Sequence, residues 1–305
     1  MRILVTGATG FLGKRLVKSL LADGHDLVVT SRDPERAAAE LGEAVRAVAW
    51  DYRAQPLPAE AMSGVSAVYH LMGEKIGPGR WTRRKKEVLR GSRIQSTEKI
   101  TAALTDQVTD FLCASAIGIY PGDTHAPFDE TSELGSPDSF MTRLCSDWEA
   151  AAAATASSSR RHVSMRIGLV LGETGMLAPL VPLYRLGLGG PLGDGKQMIP
   201  WVHADDLVAM FRFVLSHREL SGPVNLVGPE PVPLAVFSRT LASVVHRPHL
   251  LRVPGFAIRA ALGEASALVL SSYNVVPSKL RAAGFEFRFS AHAPALESVV
   301  REHYS

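Results

Sequence analysis

A short apolar run near the start of the chain, Ile3 to Val5, leads into three glycines spaced three residues apart. These are Gly7, Gly10 and Gly13, and a helical pattern of apolar residues begins directly after them. Glycines at this spacing allow a strand to turn tightly into a helix and allow that helix to pack closely on the strand. The feature therefore restricts the chain to a small set of α/β folds.

Apolar, β-branched runs alternate with longer helical patterns through the first two thirds of the chain. Strands are predicted at Arg2 to Thr6, Leu27 to Ser31, Val45 to Trp50, Ala67 to Leu71, Asp110 to Ser115, His162 to Ile167 and, further on, Pro223 to Val227. One helix start is marked by Asp33 as the cap and Pro34 in the first helical position, and another helix is predicted from Ala204 to His217. The alternation predicts a doubly wound parallel sheet of the Rossmann type.

The character of the sequence changes after Gly168. Leu186 to Pro200 is crowded with Gly and Pro, and we expect a loop there that lines a cleft. Four short helical patterns follow Gly228. We therefore predict a Rossmann domain over residues 1–172, completed by 201–228, and a smaller C-terminal α/β lobe for the substrate, built from 173–200 and 229–305.

Composition excludes several classes of protein. The 305 residues are 46% apolar and carry a net charge of +3, which is too small to indicate a nucleic-acid partner. No stretch approaches the roughly 20 apolar residues of a membrane helix, and the N-terminus does not read as a signal peptide. The two cysteines, Cys113 and Cys145, lack metal-ligand spacing. We expect a cytoplasmic protein without a metal site, a membrane anchor or nucleic acid.

The glycine-rich turn predicts a dinucleotide site, because the helix that follows points its N-terminal amides at negative charge. The residues expected to contact the cofactor there are Gly7, Thr9, Gly10, Phe11, Leu12 and Gly13. The second strand ends in Ser31 and Arg32, where a guanidinium can pair with a 2′-phosphate and Asp33 comes one residue late to bind the ribose. We therefore predict NADP(H) as the cofactor; the alternative is that Arg32 is a solvated surface arginine.

Several segments together resemble a known superfamily. They are the turn GATGFLG, Arg80-Trp81 leading to Gly91-Ser92-Arg93, Ala114-Ser115-Ala116 followed by Tyr120, and the stretch GLGGPLGDGKQMIPWVHADDL. The whole chain resembles the extended short-chain dehydrogenase/reductase superfamily. Within it, the chain is similar to a sugar-epimerase-like subfamily that often carries the label of cell-division inhibitor and whose C-terminal module has no assigned function. The resemblance implies the fold and an NADP(H) site, but no particular small-molecule substrate.

Carried over by position, the resemblance implies further cofactor contacts. Leu71, Met72 and Gly73 would line the adenosine-to-pyrophosphate side, and Ser115 with Gly168 to Val170 would line the nicotinamide side. Glu87 and Arg93 lie on the next helix, and Arg93 is expected to turn inward to the cofactor. The other basic residues of that run are typical of a solvated helix face, and its one aromatic, Trp81, argues against RNA binding. They are Arg80, Arg83, Arg84, Lys85, Lys86 and Arg90.

Short-chain dehydrogenases usually carry a Tyr and a Lys four residues apart on one helix, where the ammonium group lowers the pKa of the phenol. With Glu149 taken as the acidic residue that often follows the lysine by four, Cys145 stands at the lysine position and Met141 at the tyrosine position. No lysine occurs between Lys99 and Lys196, so a shifted alignment does not restore the pair. The usual dyad is predicted to be missing.

Other residues are candidates for the chemistry. One hypothesis makes Tyr120 the acid/base and lets Ser115 orient the substrate oxygen; the alternative is a packing tyrosine and a hydrogen-bonded serine. Cys145, Trp201 and His203 are candidates to line the substrate cleft, although a thiol in a helix interior is more often buried and inert. Two functions stay open: an NADP-dependent reductase, epimerase or dehydratase, and a catalytically silent NADP(H)-binding redox sensor.

Overall fold

The structure is a computed structural model of the chain and describes residues 1–77, 79–122 and 126–304. Its strands are β1 (Arg2–Thr6), β2 (Asp26–Ser31), β3 (Val45–Ala49), β4 (Ala67–His70), β5 (Asp110–Ala116), β6 (Arg161–Ile167), β7 (Leu169–Leu171), β8 (Met198–Ile199), β9 (Trp201–His203), β10 (Gly222–Leu226) and β11 (Val232–Pro233).

Its α-helices are α1 (Phe11–Ala22), α2 (Pro34–Leu41), α3 (Arg83–Arg90), α4 (Ser96–Thr101), α5 (Phe140–Ala153), α6 (Leu177–Arg185), α7 (Ala204–Ser216), α8 (Leu234–Val244), α9 (Gly255–Leu262), α10 (Ala267–Leu270), α11 (Ser278–Ala282) and α12 (His292–His303). A turn of π-helix, Gly91–Gln95, joins α3 to α4.

A seven-stranded parallel sheet forms the centre of the molecule, in the order β10-β6-β5-β4-β1-β2-β3. All seven predicted strands are present, with bounds that differ by one residue at most. Ile3 and Val5 pack into the hydrophobic cluster on one face, and Leu4 between them packs into the cluster on the other. Because successive side chains of a strand point to opposite faces, both faces must be covered. The predicted doubly wound Rossmann fold is confirmed.

Helices α1 and α7 cover one face of the sheet, where the Tyr69 hydroxyl donates to the carbonyl of Phe211 at 2.6 Å. The opposite face is covered by α4 and α5 through Ile100 and Trp148, and the indole of Trp148 donates to Thr97 at 3.1 Å. Each face therefore has its own apolar core. This arrangement leaves the carboxyl ends of the strands as the edge where loops gather.

A smaller C-terminal lobe packs α6, α8 and α12 around a separate hydrophobic cluster, and β8 pairs there with β11 in antiparallel fashion. Five α-helices follow Gly228 in the described residues, where the sequence predicts four. The extra break arises at Gly263, whose φ of 58° ends α9; a 3-10 helix over Gly263–Ser266 then leads into α10. Buried Asp206 on α7 connects the lobe to the helix that covers the sheet, since its carboxylate accepts from the backbone amides of Arg288 and Phe289 at 2.9 and 3.0 Å.

Within the described part of the chain, no helix is long and apolar enough to span a membrane.

Candidate cofactor site and active site

The glycine-rich turn is packed so closely that side chains would not fit. Gly7 has a φ of 72°, and a Cβ on it would lie 2.9 Å from the carbonyl carbon and oxygen of Leu71. A Cβ on Gly13 would lie 2.2 Å from the Gly7 carbonyl oxygen and 2.7 Å from the Cα of Ala8. Both positions therefore require glycine, and the turn holds α1 directly against the end of β1.

The N-terminus of α1 is open to a ligand. Gly10 caps the helix without a side-chain hydrogen bond, and Thr9 and Gly10 are exposed. The first amides of a helix carry a positive partial charge and lack partners within the helix, so this end favours an anion. The Phe11 ring packs directly against Gly172 and closes one side of this N-terminus. The contact is so close that a Cβ on Gly172 would lie 2.4 Å from the ring. The site therefore fits the pyrophosphate of a dinucleotide.

Ser31 is the last residue of β2 and Arg32 comes next, so both lie at the same carboxyl edge of the sheet as the glycine-rich turn. Asp33 caps α2 by accepting from the amide of Arg36 at 3.0 Å, as predicted. The Ser31 hydroxyl oxygen accepts from the amide of Asp33 at 3.1 Å, which leaves its proton to donate elsewhere. Arg32 is exposed, and no hydrogen bond or ion pair within the described residues engages its guanidinium group. The Arg32 guanidinium group can therefore form hydrogen bonds to a phosphate group bound at the end of β2.

Two residues that sequence reasoning missed lie beside Arg32. Asp51 and Tyr52 follow β3, which pairs with β2, and the amide of Trp50 donates to the Ser31 carbonyl at 2.8 Å. Two hydrogen bonds from the Arg53 side chain help to lower the pKa of Asp51 to about 2, and burial raises the pKa of the Tyr52 phenol. The signal available in the sequence was the strand order, because it places the residue after β3 next to the residue after β2.

Leu71, Met72 and Gly73 follow β4, and the first two lie against Gly7. Arg93 lies close to the same loop: it donates to the carbonyls of Glu74 and Leu89 at 3.1 and 3.3 Å. Its guanidinium group also lies over the Trp148 ring, 5.2 Å from the ring centroid. Arg93 is therefore turned inward to the loop at the end of β4, where protein groups hold it.

Glu87 lies on α3, the helix after β4 on which it is predicted, and its contact with the cofactor stays a prediction. Its carboxylate is 63% exposed and accepts from Arg83 at 3.1 Å, along the outer side of α3. We therefore leave Glu87 out of the proposed cofactor site. Trp81 on the same segment is buried, and its indole donates to the carbonyl of Ile76, so its ring is not free for stacking on a base.

The carboxyl ends of β5, β6 and β10 carry a buried polar network. Arg166 donates to both carboxylate oxygens of Glu149, at 2.8 and 2.9 Å, and to the Tyr120 hydroxyl at 2.7 Å. Tyr120 donates in turn to Oδ1 of Asn225 at 2.8 Å, and Ser115 donates to Oε1 of Glu149 at 2.6 Å. Sequence reasoning missed Arg166 and Asn225, since a polar residue inside an apolar strand gives no sign of its partner.

This network satisfies its members internally. Tyr120 is 1% exposed and Ser115 is 3% exposed. Burial raises the pKa of the Tyr120 phenol, although Arg166 acts against that shift. Burial also opposes the charge on Arg166, but Glu149 outweighs it and the pKa of the guanidinium is raised. The geometry accordingly favours a packing tyrosine and a hydrogen-bonded serine over an acid/base pair that contacts the substrate.

The positions of the missing dyad lie behind the same strand end. Met141 and Cys145 are 7% and 2% exposed, and they belong to the hydrophobic cluster that also contains Tyr120. Burial raises the pKa of the Cys145 thiol to about 12. A thiol with this pKa is neutral at physiological pH, so Cys145 is not an activated nucleophile and does not line an open cleft.

Trp201 and His203 also differ from the expectation that they line the cleft. Trp201 is 1% exposed, and its indole donates to the carbonyl of Glu230 at 2.9 Å. His203 is 3% exposed, caps α7 by accepting from the amide of Asp205 at 3.1 Å, and its ring lies 3.9 Å from that of Phe289. Both side chains are core residues of the interface with the C-terminal lobe.

Gly168 follows β6, and a Cβ there would lie 2.4 Å from the Pro200 carbonyl oxygen. Val170 lies in β7, which pairs with β9 and leads to Gly172 beside Phe11. This segment therefore connects the end of β6 to the glycine-rich turn. Among the residues that the structure describes, no group of three His, Cys, Asp or Glu side chains could hold a metal ion.

Comparison with known proteins identifies the family. Residues 3–228 match the NAD dependent epimerase/dehydratase family, and residues 253–299 match a domain of unknown function, DUF1731. The chain belongs to the NAD dependent epimerase/dehydratase family. The predicted resemblance to extended short-chain dehydrogenases with an unassigned C-terminal module is thereby confirmed.

Full-length relatives support this assignment. The chain is 35% identical to an epimerase family protein of Mycobacterium leprae over 297 residues, which is 96% of this chain and 94% of that protein. It is 32% identical over 305 residues to the epimerase family protein YfhF of Bacillus subtilis, with 99% of both chains covered. The crystal structure of the human epimerase family protein SDR39U1 (isoform 2) with NADPH matches with a TM-score of 0.87 at 29% identity, covering 99% of this chain and 100% of that one.

Proposed function

We propose that this protein binds NADP(H) along the carboxyl edge of its sheet and acts as an enzyme on a small-molecule carbonyl or alcohol substrate. The observation that carries the proposal is that the open N-terminus of α1 and the exposed guanidinium group of Arg32 both lie at the carboxyl edge of the sheet. The human relative, whose crystal structure contains NADPH, supports the same cofactor.

In the proposed complex the amides at Gly10 to Leu12 hold the pyrophosphate, and Gly7 and Gly13 keep the backbone close enough for them to do so. Ser31 donates to the 2′-phosphate and Arg32 pairs with it, while Tyr52 and Met72 flank the adenosine side. NADPH supplies a hydride when it is bound. Gly168 and Val170 form the wall next to the nicotinamide.

The proposal is tested by titrating NADPH and NADH and following the fluorescence of the reduced nicotinamide. We expect NADPH to bind at least about tenfold more tightly, because a charge-assisted pair contributes roughly 1.5–3 kcal/mol and 1.4 kcal/mol is tenfold. Arg32→Gln should weaken NADPH binding by about tenfold to a hundredfold and leave NADH binding within about twofold.

Arg36→Gln is the matched control. Arg36 is an exposed arginine on the neighbouring helix α2 and its Nε donates to Glu40 at 2.8 Å. An equal loss of NADPH binding in both variants would mean that general charge, not a defined phosphate contact, attracts the cofactor. Equal affinity of the unmodified protein for NADH and NADPH would contradict the proposal.

A second candidate function is a catalytically silent NADP(H)-binding redox sensor. The closed Ser115-Glu149-Arg166-Tyr120 network and the absent dyad favour it, since neither offers a proton donor to a substrate. NADPH oxidation assays with sugars, quinones and short-chain carbonyls separate the two functions. Turnover of any of them supports the enzyme. Tight binding without turnover, together with different partner capture in the reduced and oxidised states, supports the sensor.

We propose a cytoplasmic location and no nucleic-acid or membrane partner. The two cysteines are both free and buried, in keeping with a reducing compartment. The distribution of the tagged chain between cytosolic and membrane fractions tests the location, and the absence of nucleic acid from the purified protein, measured by absorbance at 260 nm, tests the remaining part.

A further inference from the structure

A cavity of about 570 Å³ opens in the C-terminal lobe, away from the glycine-rich turn. Its walls come from the loop of Gly193 to Gln197, from the start of α9 and from Leu270 in α10. Two of these three walls lie in the segment that matches a domain of unknown function. Most of the cavity therefore lies in the C-terminal module, and its lining contains no residue of the glycine-rich turn.

Gln197 is the first sign that the cavity takes a ligand. Its side chain is part of the wall although the residue is only 4% exposed. Nε2 donates to the carbonyls of Leu192 and Val269 at 3.1 and 3.2 Å, which fixes the orientation of the amide. Oε1 is buried and has no hydrogen-bond donor among the described residues. A buried acceptor without a donor is costly, so a hydroxyl or N–H group of a bound compound would stabilise this arrangement.

Two guanidinium groups give the cavity its charge. Arg252 and Arg259 both line it, and Nε of Arg252 donates to the Gly193 carbonyl at 3.0 Å, which orients the outer nitrogens. Asp194 is the acidic residue of the lining, and its carboxylate accepts from the amide of Lys196 at 3.0 Å. Two arginines on one cavity match the several oxygens and the double charge of a phosphate group.

An apolar wall completes the site. Phe256, on the first turn of α9, is 73% exposed although it is a large aromatic side chain, and Leu270 lies on the same cavity. An apolar group that covers the Phe256 ring would remove this surface from water. The cavity thus offers a charged part and an apolar part side by side.

We propose that this cavity binds a small organic phosphate whose phosphate lies between Arg252 and Arg259, whose apolar group covers Phe256, and which donates a hydrogen bond to Gln197. The site reaches toward the sheet through the residues after Leu270. The amide of Tyr273 donates to the Met198 carbonyl at 3.0 Å, and Tyr273 packs on the cluster that contains Cys145. The inference goes beyond the cofactor-binding function and does not depend on it, because none of its groups contacts the glycine-rich turn.

Isothermal titration calorimetry with phenyl phosphate tests the site, with NADPH present at saturation so that phosphate does not bind at α1. We expect saturable binding at one site, and we expect the double variant Arg252→Gln/Arg259→Gln to weaken it by more than about tenfold, as the loss of charge-assisted hydrogen bonds predicts. Phe256→Ala should reduce the affinity for phenyl phosphate to that for inorganic phosphate. Arg239→Gln, an exposed arginine of the same lobe on a different cavity, is the matched control and should bind within about twofold of the unmodified protein.

Three results would overturn the inference: no saturable binding of phenyl phosphate, equal binding by the double variant, or an equal loss in Arg239→Gln. Benzoate binding as tightly as phenyl phosphate would overturn the assignment to phosphate. The substituted arginines are both exposed, so the variants should fold, and their melting temperatures check this. Should NADPH itself fail to bind, that result counts against the proposed function alone, and the difference between the unmodified protein and the double variant Arg252→Gln/Arg259→Gln, both titrated without NADPH, then tests the cavity.

Discussion

The two halves of the carboxyl edge of the sheet differ in how their polar groups are satisfied. At β1 and β2, the helix amides after Gly10 and the guanidinium group of Arg32 face outward without a hydrogen-bond or ion-pair partner among the described residues. At β5 and β6, Ser115, Tyr120 and Arg166 are buried and bonded to one another through Glu149 and Asn225. One half is arranged for a ligand, and the other is complete without one.

The difference shows that binding and proton chemistry can be separated within one fold. A polar group that must meet a ligand has to leave a lone pair or a hydrogen unsatisfied, which costs stability unless water or ligand supplies the partner. In the half at β1 and β2, the helix amides after Gly10 and the Arg32 guanidinium group are left unsatisfied in this way. The half at β5 and β6 uses the same kinds of group for internal hydrogen bonds, which is why a shared fold does not by itself identify a catalyst.

The largest effect should come from breaking the closed half. In Arg166→Met the Glu149 carboxylate loses a two-bond partner whose side chain is 5% exposed, and we expect a loss of about 4 kcal/mol in the free energy of unfolding. Denaturant unfolding measures it. NADPH affinity, measured on the folded fraction, should stay within about threefold, since the open half is untouched.

Arg212→Met is the control for that variant. Arg212 pairs with Asp23 at 2.7 Å, but its side chain is 47% exposed, so the loss should be less than about 1 kcal/mol. The double variant Glu149→Gln/Arg166→Met should recover part of the stability, because no unpaired charge stays buried. If Arg166→Met and Arg212→Met cost the same, the network is not sealed from water in solution.

The open half is tested by Gly13→Ala. The added methyl group would lie 2.2 Å from the Gly7 carbonyl oxygen, so α1 must move away from the strand. We expect a loss of about 3 kcal/mol and NADPH binding too weak to measure, because overpacking of this kind costs roughly 1–3 kcal/mol and displaces the amides that bind phosphate. Gly77→Ala, where nothing lies within 4 Å, is the control and should change neither quantity.

The sequence predicts the open half better than the closed half, because the two halves differ in how far apart along the chain their interacting residues lie. The turn and the Ser31-Arg32 pair are local: glycine spacing and strand order place them without knowledge of distant residues. The closed network joins Ser115 to Asn225 through side chains of one helix, three strands and the loop that contains Tyr120, and no local pattern indicates such partners. Trp201 and His203 were misplaced for the same reason, since their burial depends on Glu230 and Phe289.

A smaller effect is expected from Tyr120→Phe. The substitution leaves Nη1 of Arg166 and Oδ1 of Asn225 without their shared partner, at a cost of about 2 kcal/mol in unfolding free energy. On any substrate that the protein turns over, kcat should stay within about threefold, because a phenol that is 1% exposed does not reach the substrate. A fall of kcat by a hundredfold or more, with stability and NADPH binding retained, would instead establish Tyr120 as the acid/base.

The boundary between the halves is His70, the last residue of β4, and its substitution should give the smallest effect at neutral pH, where the folded protein keeps the ring uncharged. Its ring is fully buried and bonds to Thr6, which leads into the glycine-rich turn, and to Ser96 on the other side, at 2.6 and 3.2 Å. Burial lowers its pKa from 6.5 to about 3. Between pH 6.5 and about 3, His70 is therefore protonated in the unfolded chain but stays neutral in the folded protein.

Stability from this group is complete above pH 6.5 and is lost as the pH falls toward 3, by about 1.4 kcal/mol per pH unit. In His70→Gln, which keeps an amide for hydrogen bonding but does not titrate, the curve of unfolding free energy between pH 6 and pH 4 should be flatter by about that slope. Parallel curves for His70→Gln and the unmodified protein would mean that water reaches the ring, and that the boundary between the open and closed halves lies further toward β5.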